Sequence, residues 1–212
     1  MKLYGFSGLG ADERVFKFLS LNCKFIPIKW IKPISEESIE EYSLRISKII
    51  NTDEEFGLLG VSFGGLIAVE VSKILTPKIT ILISSAETYQ DLPFLIRLFG
   101  FTKVINILPK TTFRIPPIIA QYFFSTPNKT LLKAILKDSD LDFTKWAIKE
   151  LSSWKNVQYL SQSLKISGSK DKVIPPKKNR DIYIIEDGGH FMIVDKADEV
   201  SSIINQCLIS KN

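Results

Sequence analysis

The chain of 212 residues has one histidine, His190, and two cysteines, Cys23 and Cys207. The cysteines stand far apart and neither belongs to a C-x-x-C pair. They read as buried or free thiols of a reducing compartment, and no metal site is expected. Any step that needs an imidazole has only His190 to use. No apolar run reaches the ~18–20 residues of a membrane span, so no integral membrane segment is expected. The opening MKLYGFSGLGADER has no apolar stretch before Asp12 and Glu13. It therefore does not read as a signal peptide, and a cytoplasmic setting is expected. The net charge of +5 is modest, and lysines and arginines do not run together among aromatics. Nucleic-acid binding is thus without support. Internal repeats, low-complexity tracts and interdomain linkers are missing as well.

What is present fits one domain over residues 1–212 with a sizeable core: hydrophobic residues make up 45% and charged residues 24%. Residues 2–6 read as a strand, 7–12 as a loop, 13–19 as a short helix and 23–28 as a second strand, in which Pro27 points to an edge position. Ser38-Ile39-Glu40-Glu41 is a capping box, S-x-x-E, that opens a helix. Ile39, Tyr42, Ile46 and either Ile49 or Ile50 share one face of it. Residues 78–84, KITILIS, form a continuous apolar and β-branched run, the pattern of a strand covered on both sides. Strand signals then vanish until residue 164. Segments 88–162 are broken by Pro93, Pro109, Pro116, Pro117 and Pro127, with helical spacing over 129–138 and 143–154. This stretch is expected to be a helical lid inserted into the domain. Strands are expected again at 164–167 and 181–185, with a last helix over 198–208. Alternating strands and helices predict an α/β fold, a doubly wound and mostly parallel sheet.

Residues 58–65, LLGVSFGG, carry a G-x-S-x-G motif between an apolar strand and an apolar helix. In that context a serine sits at the tip of a tight, strained turn with its hydroxyl exposed. Gly60 and Gly64 would be glycines because strand and helix pass too close for a Cβ. Ser62 is then the candidate nucleophile, and the N–H of Phe63 is aimed at whatever it attacks. A serine hydroxyl needs a base. His190, in Asp187-Gly188-Gly189-His190-Phe191, follows the last strand and lies at the sheet edge where open α/β sheets bind ligands. A base needs an acid to fix its tautomer. Asp171 in ISGSKDKVIPP is the candidate, and Glu87, after the strand ending near Ser85, is the alternative. Asp187 and Asp195 are expected to shape the His190 loop. A second oxyanion donor is expected from the early loop, at the N–H of Leu9.

With these residues in place the chain resembles the α/β-hydrolase superfamily over nearly its whole length. The motifs that carry the resemblance are GFSGLGADERVF, GVSFGG, ITILISSA, an insert ending AIKELSSWKN, ISGSKDKVIPP and DGGHFM. The resemblance implies a doubly wound sheet with a helical lid, a Ser62-Asp171-His190 triad and an oxyanion hole from Phe63 and Leu9. Many members have His-Gly in the early loop where this chain has Ser7-Gly8. The chain also begins at what would be the third strand of the larger members, so about six strands are expected rather than eight. Members with dehalogenase or epoxide hydrolase chemistry have aspartate at the Ser62 position, which makes those activities unexpected here.

The expected function is a serine hydrolase of carboxylic esters or thioesters, with no metal or organic cofactor. An acyltransferase using the same triad, or a non-catalytic binding member of the fold, are the alternatives. The expected partner is a small-molecule acyl ester or thioester, and no oligomeric state is implied. Between Tyr89 and Gln162 there are ten Lys and Arg, Lys103 among them, against five Asp and Glu, an excess equal to the whole net charge of +5. The same stretch is rich in phenylalanine, including Phe94, Phe99, Phe101, Phe113, Phe123 and Phe124. An apolar inner face with a basic rim would suit an acyl group on an anionic carrier, or an anionic lipid surface, while lysines also simply solvate helix faces.

Overall fold

The computed structural model describes residues 1–102, 104–177 and 181–211. Lys103 and the side chain of Phe101, both counted above, lie outside what is described. The strands are β1 (Lys2–Phe6), β2 (Lys24–Ile28), β3 (Phe56–Val61), β4 (Thr80–Ile83), β5 (Ser163–Gly168) and β6 (Tyr183–Ile185). They form one sheet in the order β2-β1-β3-β4-β5-β6, and every neighbouring pair is parallel. Pro27 does lie in an edge strand, where its missing N–H costs no ladder bond on the outer side.

Alternation along the strands divides the core into two layers. Tyr4, Phe6, Leu58 and Leu82 pack on one face with α1 (Ile39–Ser47) and α2 (Phe63–Leu75). Leu3, Leu59, Val61 and Ile81 pack on the other with Val15, Phe16 and the chain's C-terminal helices. Covering on both faces explains why β3 and β4 read as unbroken apolar runs. The segment after β1 is a 3₁₀ helix, Glu13–Phe18, capped by Asp12, rather than an α-helix. Helix α1 opens on the expected capping box: Ser38 Oγ accepts from the Glu41 N–H, and Glu41 Oε2 accepts from the Ser38 N–H. Its buried face is Ile39, Tyr42 and Ile46, continued by Ile50, while Ile49 is exposed.

Between β4 and β5 the chain forms α3 (Phe94–Thr102), α4 (Val104–Ile107), α5 (Pro117–Phe124), α6 (Lys129–Asp138) and α7 (Leu141–Ser153). Helix α7 is tied firmly to the sheet side. Trp146 Nε1 donates to the Glu37 carbonyl, Trp154 Nε1 donates to Glu70, and Glu150 accepts from the Ile39 N–H. After β6 come α8 (Met192–Asp195) and α9 (Ala197–Lys211). Among the described residues no helix is long and apolar enough to cross a membrane.

Candidate active site

The sheet order turns back between β1 and β3: the chain runs outward from β1 to the edge strand β2, then returns to the other side of β1. Loops leaving the carboxyl ends of two such strands diverge, which opens a crevice for ligands. Ser62 follows β3 at that point. Its backbone is held at φ 52° and ψ −121°, a conformation non-glycine residues rarely adopt. The surroundings over-determine it. The Ser62 N–H donates to the Ile83 carbonyl at 3.0 Å, and the Ser62 carbonyl accepts from Gly65 N–H and, at 2.7 Å, from Ser85 Oγ. A Cβ on Gly60 would overlap the Gly64 carbonyl, and one on Gly64 would overlap the carbonyls of Ser7 and Phe6. Glycine at both positions lets α2 start directly against β3 and the early loop.

The loop after β1 lies beside this turn. It is closed by the Ala11 N–H on the Gly8 carbonyl and braced by Ser7 Oγ and Trp30 Nε1, both donating to the Ala11 carbonyl. Behind the turn, the Phe63 ring is buried against Trp30, Phe143 and Trp146. Leu9, Phe63, Ser62 and His190 all line one cavity of about 450 Å³.

His190 and Asp171 come from two loops pressed backbone to backbone. A Cβ on Gly168 would overlap the Gly188 carbonyl, which itself accepts from the Lys170 N–H at 2.8 Å. Asp187, in the left-handed region at φ 57°, pairs with Lys170 across the same junction. His190 Nε2 lies 2.8 Å from Ser62 Oγ, and its Nδ1 lies 2.9 and 3.0 Å from the two oxygens of Asp171. Asp171 Oδ1 also accepts from the N–H groups of Val173 and Ile174, each at 2.9 Å. With an acceptor on Nδ1, the ring proton belongs there, so Nε2 accepts from the serine hydroxyl. His190 and Asp171 are buried, and the Phe124 ring stands edge-on to the imidazole at 5.2 Å. A hydroxyl, an imidazole and a carboxyl in this chain can move a proton off the serine as it attacks an electrophile.

The alternative acid, Glu87, is not part of this arrangement. Its carboxyl accepts from the Leu160 N–H at 2.9 Å and Ser163 Oγ at 3.1 Å, and faces the Lys165 ammonium. Its carbonyl accepts from Asn156 Nδ2. Glu87 thus fastens the chain on either side of the helical insertion. Asp195, beneath the His190 loop, accepts from Thr126 Oγ1 at 3.0 Å, and burial pushes its carboxyl up from the usual range. Two supports had no sequence signal. Ser85 braces the turn, and the Phe124 carbonyl accepts from the Phe191 N–H. Both depend on contacts between distant segments.

Apart from Ser62 and His190, the cavity wall is almost wholly apolar, with Leu95, Ile119, Phe123, Phe124, Ile174 and Phe191 prominent and Arg114 and Lys172 among the few charged groups. Among the described residues no cluster of three His, Cys, Asp or Glu gathers as metal ligands.

Solved structures match the chain along nearly its full length. MenH from S. aureus aligns with a TM-score of 0.73 at 16% identity, covering 100% of this chain and 94% of that one. A thermophilic esterase from Thermogutta terrifontis, with malate bound, aligns at 0.70 and 13%, covering 100% and 90%. RedJ, a thioesterase from the prodiginine biosynthetic pathway in Streptomyces coelicolor, aligns at 0.66 and 15%, covering 97% and 89%. The chain has the α/β-hydrolase fold. Ser62 lies at the turn from β3 into α2, at the carboxyl edge of the sheet. Identities this low speak for the fold alone. No protein-family model and no curated protein matches the sequence.

Proposed function

We propose that the protein is a serine hydrolase that cleaves carboxylic esters or thioesters through an acyl-enzyme on Ser62. The observation that carries the reading is the hydrogen-bonded chain Ser62–His190–Asp171 opening into a largely apolar cavity. Ser62 Oγ attacks the acyl carbon while His190 Nε2 takes its proton. The imidazolium then returns the proton to the leaving oxygen or sulfur, and the acyl group stays on Ser62. Asp171 holds the imidazole in the needed tautomer and stabilises its charge. The N–H groups of Phe63 and Leu9 receive the oxyanion, a role supported by the place of both residues on the cavity wall next to Ser62. A water activated by the same histidine releases the acid. The acyl group lies among the aliphatic and aromatic side chains, and α3–α7 act as the lid over it. The reaction calls on no metal or organic cofactor.

Solved neighbours named as an esterase and a thioesterase support the same class of chemistry. The test is turnover of p-nitrophenyl esters of increasing acyl length by the parent and by Ser62→Ala. The proposal expects hydrolysis that rises with acyl length until the cavity is full and that disappears in the variant. Turnover unchanged in Ser62→Ala, or absent in the parent for esters and acyl thioesters alike, would remove it.

A further inference from the structure

Water-facing helix surfaces are ordinarily polar, yet α3, α4 and α5 show several large apolar side chains to solvent. Phe94, Leu98 and Phe99 on α3 recur at helical spacing and are exposed, as are Ile107 on α4 and Ile118 and Tyr122 on α5. Ile107 is 85% and Ile118 79% exposed. None of these six lines the cavity. Their neighbours Leu95, Ile119 and Phe123 do both: they are exposed and they form the cavity wall. On α3 and α5 the exposed apolar side chains therefore run up to the cavity wall. Large contiguous patches of this kind mark interaction sites.

Charge identifies the occupant. From Leu92 to Lys137 there are seven Lys and Arg and no Asp or Glu. Arg114, between α4 and α5, is exposed at the cavity rim. Lys172 reaches the same rim, with its ammonium 3.8 Å from the centre of the Tyr122 ring. Lys110 is paired with Asp142, but Arg97 lies over the Phe94 ring, and with Arg114 and Lys172 at the rim the apolar side chains are bordered by cations, the pattern that seats a helix face in the headgroup region of an anionic bilayer. We propose that the α3–α5 face docks the protein onto an anionic lipid surface, with the cavity mouth turned toward the lipid. The docking stands on the surface alone. Its use, feeding an acyl chain from the lipid layer to Ser62 without crossing water, rests on the hydrolase reading.

Co-sedimentation of the whole protein with vesicles tests it, using phosphatidylcholine alone and phosphatidylcholine with phosphatidylglycerol at ~3:1. Binding to the anionic vesicles is expected to exceed binding to the neutral ones by about tenfold or more and to fall with added salt. The pair Ile107→Asp with Ile118→Asp removes that binding while turnover of a soluble short-chain ester stays at the parental level. A milder pair, Ile107→Ala with Ile118→Ala, guards against misfolding and lowers binding in part, because the buried apolar area falls. Equal binding to both vesicles, no binding to either, or a dimer dissociated by the same substitutions would overturn the proposal. Vesicle binding by a protein inert toward every ester would uphold the docking and sink the hydrolase reading instead.

Discussion

Helices α2 and α5 both contribute to the wall of one cavity, yet they are built in opposite ways. The first ten residues of α2 are buried, and two glycines let its first turn touch β3 and the early loop. Helix α5 buries only Ala120 and shows Ile118, Ile119, Tyr122 and Phe123 to solvent. One side of the cavity is a fixed floor whose backbone strain at Ser62 is held by packing from several directions. The other side is a rim with few neighbours to hold it. On the proposed reading, the groups that need exact positioning sit on the floor and those that sort ligands by size and polarity sit on the rim.

Substitutions on the two sides should therefore separate in kind. Ser62→Ala or His190→Ala is expected to lower kcat by about 10³–10⁶, with losses that do not add in the double variant, because the two act as a unit. Circular dichroism should show both still folded. Asp171→Asn is expected to cost about 10⁴ in kcat by permitting the wrong tautomer, with little change in KM. Glu87→Gln should leave kcat much closer to that of the parent, and a larger loss there than at Asp171 would reverse the assignment of the acid.

Next in size is a change of stability beneath the insertion. Lys165 is buried in β5 with its ammonium 2.9 Å from Asp91 and 3.9 Å from Glu87. Burial disfavours the charged form of Asp91, but the Lys165 ion pair and the N–H groups of Glu87 and Thr88 outweigh it and hold the carboxyl below its usual range. Lys165→Met should cost about 3–5 kcal/mol, measured by urea denaturation, because it strands a buried charge. In the parent, this depressed carboxyl stabilises the fold above its unfolded-state pKa. That contribution is lost as pH falls through the lower folded-state value, and acid titration of the Lys165→Met variant should lack that part of the loss. The smallest effect belongs to the rim. Ile119→Ala should move stability by only a few tenths of a kcal/mol, as surface changes do, while raising KM for long-chain esters more than for acetate esters. A large loss of stability there would contradict the description of the rim.

The same contrast decides what could be seen in the sequence. The elbow was legible because its glycines answer to local sterics: Gly60 and Gly64 are required by contacts within a few residues and by the neighbouring strand. The sheet was legible because two-sided burial writes itself into β3 and β4 as apolar runs. Helices α3, α4 and α5 were not. Pro93 and Pro116 read as breaks, yet they precede helices, and Pro117 occupies the first turn of α5, where a missing N–H is harmless. Their exposed apolar residues also blur the 3.6-residue period. Loop position put Asp171 ahead of Glu87, but Glu87 stayed an alternative because both follow strands that end at the same edge. Packing against Asn156, Leu160 and Ser163 is what turns Glu87 away. Pairing of Lys165 with Asp91 was equally invisible, since it joins residues 74 positions apart.

The central claim is that Ser62 is an activated nucleophile. Incubating the protein with a fluorophosphonate and mapping the adduct by peptide mass spectrometry addresses it without knowing the substrate. One adduct per chain is expected, on the peptide containing Ser62, absent in Ser62→Ala and formed far more slowly in His190→Ala. An unlabelled protein, or an adduct on another residue that persists in Ser62→Ala, would contradict it.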